Sequence, residues 1–218
     1  MLELVSIHVP KTAGRSFLAV LNSVYDPGSV FHFNRQNYPD KSIPESEQFK
    51  TELTEEIKVI HGHFRYSEIA DLINSRDTKV IAWLRDPVDR VISNYSFFKK
   101  RISLALHDPE LQRRKNERLM EYAMLDDTRN LMSKFIEGIG VRNLFFAGIT
   151  EYFDSELHQL GEMLNWKPFE IPRINDNAEF KSQLPAATDE EKKIIADLNR
   201  GDIELYSRAM EIRNKRAH

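Results

Sequence analysis

The sequence contains no cysteine. Disulfides, thiolate-held metals and cysteine nucleophiles are thereby excluded, and a reducing compartment is the natural expectation. Positive charge is not in excess either. Lys and Arg number 31 against 34 Asp and Glu, a net charge of -3, so bulk charge does not point to a nucleic-acid partner. No window approaches the roughly 18 consecutive apolar residues of a membrane span. The opening Met-Leu-Glu-Leu-Val-Ser-Ile-His-Val lacks the basic and long apolar regions of a secretory signal. Internal repeats and low-complexity segments are absent. What remains is 218 residues, 41% of them hydrophobic, enough for one sizeable core and too few for two full domains. The expectation is a cytoplasmic protein with a single domain over residues 1–218.

Hydrophobic periodicity supplies the elements. Residues 4–9 are rich in branched apolar side chains and end at Pro10, as in a buried strand. Phe17, Leu18, Leu21 and Val24 recur at helical spacing over residues 15–24. Residues 25–55 show no sustained period and read as a long loop. A second strand is expected near residues 57–61, a short helix near 67–74, and a third, almost wholly apolar strand at 79–84. Asp86-Pro87 combines a favourable N-cap with proline at the first helical position. Residues 97–138 read as charged helix broken at Pro109. A fourth strand at 144–149 precedes a helix over 151–164, and a final helix starts at Thr188, with Gly201 as a possible interruption. Strands alternating with helices predict an α/β fold with a mostly parallel central sheet flanked by helices.

Two strand-to-helix turns carry anion-binding chemistry. In Val9-Pro10-Lys11-Thr12-Ala13-Gly14-Arg15-Ser16-Phe17 a tight turn opens a helix, whose first N–H groups and positive dipole end favour a phosphate. Lys11 adds a point charge, and Thr12 and Ser16 add hydroxyls. The lysine precedes the glycine, unlike the Gly-Lys-[Ser/Thr] order of nucleotide kinases. In Trp83-Leu84-Arg85-Asp86-Pro87-Val88-Asp89-Arg90-Val91-Ile92-Ser93, Arg85 stands at the carboxyl end of a strand, where open α/β sheets bind ligands. Ser93 lies two helical turns on and can reach the same phosphate. Taken singly, each turn has a plainer reading. The first is then an ordinary helix start, and the second an Arg85 paired with Asp86 or Asp89 beside a surface serine.

Together, Pro-Lys-Thr-Ala-Gly-x-Ser-Phe and Arg-Asp-Pro-x-x-Arg-x-x-Ser-x-Tyr resemble the 5′-phosphosulfate and 3′-phosphate motifs of the PAPS-dependent sulfotransferases. Their order and their separation of roughly 75 residues match that family, as does Gly148-Ile149-Thr150-Glu151-Tyr152-Phe153 with its fourth strand and following helix. The resemblance implies the P-loop-kinase-like sulfotransferase fold, with PAPS as donor and PAP as product. It implies that Lys11 meets the bridging oxygen and sulfuryl group, that Thr12, Ala13, Gly14, Arg15, Ser16 and Phe17 wrap the 5′-phosphate, and that Arg85 and Ser93 hold the 3′-phosphate. Arg15 stands where the family often has Thr or Ser. Arg173, Asn175 and Lys181 are candidates for the basic loop that closes over the nucleotide in many members.

Ile60-His61-Gly62-His63-Phe64 falls between the two motifs. It resembles the base-bearing segment of heparan-type glycan 2-O-sulfotransferases, which implies a carbohydrate hydroxyl acceptor. Those enzymes usually carry a membrane anchor, and because this sequence begins almost at its first strand the expectation is a minimal, soluble, bacterial-type member without one. An imidazole suits removal of a hydroxyl proton near neutral pH. His63, nearer the carboxyl end of its strand, is the expected base and His61 the more buried partner. A zinc pair lacks a third ligand at metal spacing, so no metal is expected. His8 reads as a packed strand residue. The runs Lys99-Lys100-Arg101 and Arg113-Arg114-Lys115 with Arg118 read either as steering for an anionic acceptor or as a solvated helix face. Two rival functions stay open: a P-loop-like nucleotide or sugar kinase, and a non-catalytic nucleotide-binding protein of the same fold.

Overall fold

Five short strands, β1 (Leu4–Ile7), β2 (Val30–Phe33), β3 (Val59–Gly62), β4 (Lys79–Leu84) and β5 (Phe146–Ile149), pair in parallel in the order β2-β3-β1-β4-β5. They are seen in a computed structural model that describes residues 2–34, 47, 51–73, 77–172 and 184–216. β1 is central, with Ser6 opposite His61 on one side and Ile81 on the other. All described pairings are parallel. Residues 25–55, expected to be loop, contain the half-buried edge strand β2.

Period-two alternation sorts the side chains onto two covered faces. Val5, Ile7, Ile60, Val80, Leu84 and Ile149 form one core layer, which Leu205, Tyr206 and Met210 of the final described helix cover. Leu4, Val59, Ile81, Trp83 and Phe146 form the other, against Phe17, Val20 and Leu21 of α1 (Gly14–Val24) and Leu157 and Leu160 of a later helix. By the same alternation Ser6 and His61 lie on the α1 face, at the carboxyl end of the sheet.

α2 (Tyr66–Ile69) leads back to β4. α3 (Pro87–Leu104) starts as expected, with Pro87 in its first turn and the Asp86 carboxylate accepting from the Asp89 N–H at 2.9 Å. The charged stretch after it breaks into α4 (Pro109–Arg113), α5 (Leu119–Ala123) and α6 (Leu131–Phe135). α7 (Phe153–Met163) follows β5, and the final helix is a pair, α8 (Asp189–Leu198) and α9 (Arg200–Arg216). The pair breaks at Asn199, and Gly201 lies within the first turn of α9.

α9 is tied into the sheet by charge. Its Asp202 accepts from the N–H groups of Met132 (3.1 Å) and Ser133 (2.8 Å), capping α6, and lies 3.9 Å from Nε of Arg90 on α3. Arg90 is fully buried, and its Nη2 donates to the Thr128 carbonyl at 2.7 Å. Further along, Arg213 and Arg216 pair with the buried Glu156 of α7, whose other oxygen accepts from the Ile149 N–H at 2.7 Å.

Candidate active site

The turn after β1 is shaped by its own hydrogen bonds. Lys11 (φ 73°) and Ala13 (φ 61°) both adopt left-handed backbone, which costs a non-glycine residue on the order of 1 kcal/mol. Thr12 Oγ1 donates to the Val9 carbonyl at 2.8 Å, Arg85 Nη1 donates to the Lys11 carbonyl at 3.2 Å, and the Phe17 N–H closes on the Ala13 carbonyl at 3.0 Å. α1 therefore begins at a bend whose N-cap, Ala13, has no side chain to offer its first-turn N–H groups, and no acidic residue lies there. Such an end attracts an anion. The start of α3 differs, because Asp86 already caps it. A phosphate there must be held by side chains instead.

Those side chains are in place. Arg85 and Ser93, the latter 8% exposed, line a cavity of about 340 Å³ together with Lys11, Gly14, Ser16 and His63. Arg85 does not pair with Asp86 or Asp89. It reaches back to the Lys11 carbonyl, so the two motifs meet through one hydrogen bond. The Lys11 ammonium rests 4.5 Å from the centre of the Phe97 ring. Burial, then the positive charges of Arg85, Arg15 and Lys100, lower its pKa to about 8. Among the described residues, no Asp or Glu lines this cavity.

His63 lies where the donor cavity opens into a second, larger one of about 800 Å³. Its Nδ1 is 2.7 Å from the His8 carbonyl. A carbonyl only accepts, so Nδ1 carries the hydrogen and the neutral ring keeps its lone pair on Nε2. His61 is 1% exposed, and its Nδ1 lies 2.9 Å from Ser6 Oγ. Burial first, then the charges His32 and His63 would carry, depress its pKa to about 3. His61 is thus neutral at any ordinary pH. Among the described residues, no three His, Cys, Asp or Glu side chains converge as a metal-binding group.

Several assigned residues stand elsewhere. The Thr12 side chain is fully buried and its hydroxyl proton is spent on Val9, so it does not face the cavity. Phe17 is a core residue packed on His61, Trp83 and Trp166. Ala13 and Arg15 line the donor cavity. Arg173, Asn175 and Lys181 lie outside the described residues. The basic runs are largely engaged: Arg113 with Glu110, Arg118 with Glu121, and Arg114 with both oxygens of Glu117 at 2.7 Å. Arg101 and Arg114 nonetheless border the second cavity.

Asn94, Phe97 and Thr150 also line the donor cavity, and His8 lines both. Helical spacing from Ser93 points to Phe97, one turn on. Thr150 lies in the segment 148–153, which the sequence marks as strand and helix start but not as cavity lining; its hydroxyl donates to the Leu84 carbonyl at 2.8 Å.

No curated protein matches the chain. Among solved structures it resembles a sulfotransferase from Alicyclobacillus acidocaldarius, with a TM-score of 0.52 at 15% identity over 94% of each chain. Mouse sulfotransferase SULT7A1, in complex with PAP, is similar over 89% of this chain and 63% of its own, at 13% identity and a TM-score of 0.46. The first likeness carries the fold: one parallel sheet with flanking helices. No helix among the described residues is long and apolar enough to cross a membrane. The model of the sulfotransferase domain matches residues 16–164, which run from the first turn of α1 through α3 to the end of α7, more than half of the chain. This chain belongs to the sulfotransferase family.

Proposed function

We propose that the chain, as one domain, transfers the sulfuryl group of PAPS to an acceptor hydroxyl, with His63 as general base. The observation that carries this reading is the convergence of Lys11, Arg85, Ser93 and His63 on one cavity, with His63 at its junction with a second. The donor's two phosphate groups match the two anion sites. The 5′-phosphosulfate fits the uncapped start of α1 beside Lys11, Gly14 and Ser16, and the 3′-phosphate fits Arg85 and Ser93. The acceptor enters from the larger cavity.

Nε2 of His63 takes the hydroxyl proton as the acceptor oxygen bonds to sulfur. The bond from sulfur to the bridging phosphate oxygen breaks, and its electron pair stays on the 5′-phosphate of PAP. The Lys11 ammonium and the first-turn N–H groups of α1 offset that charge. The likeness of His61-Gly62-His63 to the base segment of heparan-type 2-O-sulfotransferases supports a carbohydrate acceptor, and the absence of cysteine supports a cytoplasmic location. PAP should raise the melting temperature, and radiolabelled PAPS should label a sugar hydroxyl in an acceptor screen. A thermal shift with ATP and none with PAP would replace this reading with the kinase one.

A further inference from the structure

His8 is held from every side. Its main-chain N–H donates to the Gly62 carbonyl at 2.8 Å, and its own carbonyl receives Nδ1 of His63 at 2.7 Å. The β1–β3 ladder is thus continued one step past the strands. Its ring lies 4.0 Å from that of His63 at an interplanar angle of 23°, and 5.0 Å from that of His61 at 20°. On the α1 side, a Cβ on Gly14 would fall 1.9 Å from His8 Nε2, so the donor turn closes directly on the imidazole. Nδ1 of His8 is buried without a hydrogen-bond partner. A leucine in this place would fill the space and avoid that orphan nitrogen. Packing alone therefore does not account for a histidine.

We infer that His8 is the positioning residue of the base: its carbonyl fixes the tautomer of His63, and its flat ring fixes the plane and supports the imidazolium that proton transfer creates. The inference rests on the reading of His63 as base. When His63 takes the acceptor proton, its Nδ1–H bond to the His8 carbonyl becomes charge-assisted. The new cation then lies against a neutral aromatic face, an arrangement that favours the charged form. His8 stays neutral there. Burial, then the charges that His63, His61 and His32 would carry and that of Lys11, hold its pKa well below the ordinary value. The groups that face the pair are those imidazoles and Lys11, with Arg15 and Arg85 lining the same cavity.

The test compares His8→Leu, His8→Phe and His63→Ala by kcat, KM for PAPS, PAP affinity, melting temperature and the pH dependence of kcat. His8→Leu removes the orphan nitrogen and the flat face while keeping the bulk. It should melt no lower than wild type. Its kcat should fall about 10- to 100-fold, as expected for a misaligned catalytic group. The acid limb of its kcat profile should move to lower pH, because His63 loses support for its charged form. His8→Phe restores a flat face and should recover most of the lost kcat. A His8→Leu protein with normal kcat, or one that fails to fold, overturns the inference, as does His8→Phe being as slow as His8→Leu. Undiminished turnover in His63→Ala would instead overturn the base itself.

Discussion

If Lys11 holds the donor as proposed, donor affinity should depend on pH. Its ammonium is lowered to about 8 by burial and by Arg85, Arg15 and Lys100. Phosphate oxygens beside it would reverse the cause of the shift, so the bound lysine returns towards its ordinary pKa of about 10.4. Around pH 7 the lysine is largely charged in both states and contributes little pH dependence. Above about pH 8 the free protein has lost a proton that the complex must take up, so affinity falls with rising pH. At pH 9 only about one free molecule in eleven still carries the proton, and PAP should bind about tenfold more weakly than at pH 7, close to 1.4 kcal/mol. Phosphate groups titrate near pH 6, and arginines do not titrate in the range, which leaves a clean window above 7.5. Calorimetric titration with PAP from pH 6.5 to 9.5, in two buffers of different ionisation enthalpy, reads both the affinity and the proton uptake. Lys11→Met should bind more weakly and show no such slope. A wild-type affinity flat to pH 9.5, or an identical slope in Lys11→Met, refutes the reasoning.

Stability should fall on mild acidification, because the unfolded chain protonates a histidine that folded His61 holds neutral down to about pH 3. Between pH 6.5 and 5 that one group accounts for about 2 kcal/mol, read from urea midpoints, and His61→Ala should lessen the slope. Asp202→Ala leaves Arg90 buried without a counter-charge and should cost about 3 to 5 kcal/mol, measured by the same denaturation. Turnover should be unchanged by EDTA if, as proposed, Lys11 and the α1 terminus supply the positive field at the leaving phosphate. Activity lost to EDTA and restored by Mg²⁺ would contradict that mechanism.

That the Lys11 turn and the Arg85–Ser93 pair face one cavity is legible because their placement is local: a strand end, a tight turn and a fixed helical offset. The placement of His63 beside both cavities is legible from its position two residues beyond His61 and between the motifs. β2 is not, being four residues at a sheet edge with burial only on part of its length. Its strand character comes from pairing with β3 rather than from its own pattern. His8 is buried as its sequence reading expects, but what it packs on is not legible, for a related reason. Within its strand it looks like one more packed residue, and only the parallel register of β1 with β3 brings its ring onto His63. Thr12 and Phe17 are over-read, since a motif gives the residue type without the direction of its side chain. Thr12 turns inward to hold the turn, and Phe17 anchors α1 in the core.

The contact between Arg90 and Asp202 also has a consequence to test during synthesis. Arg90 sits between Arg85 and Ser93 on the element that would grip the nucleotide's 3′-phosphate, and it leaves the ribosome roughly half a chain ahead of its carboxylate. Domains fold as units while the N-terminal part emerges first, yet here the early part carries an interior cation whose counter-ion comes late. Until α9 arrives, that guanidinium has only water or the Thr128 carbonyl to satisfy it, and α3 has reason to stay open. On the proposed function, the nucleotide grip should therefore be a late acquisition of the nascent chain. Ribosome-stalled chains ending before residue 200 should fail to retain on a PAP matrix, and release of the full length should restore capture.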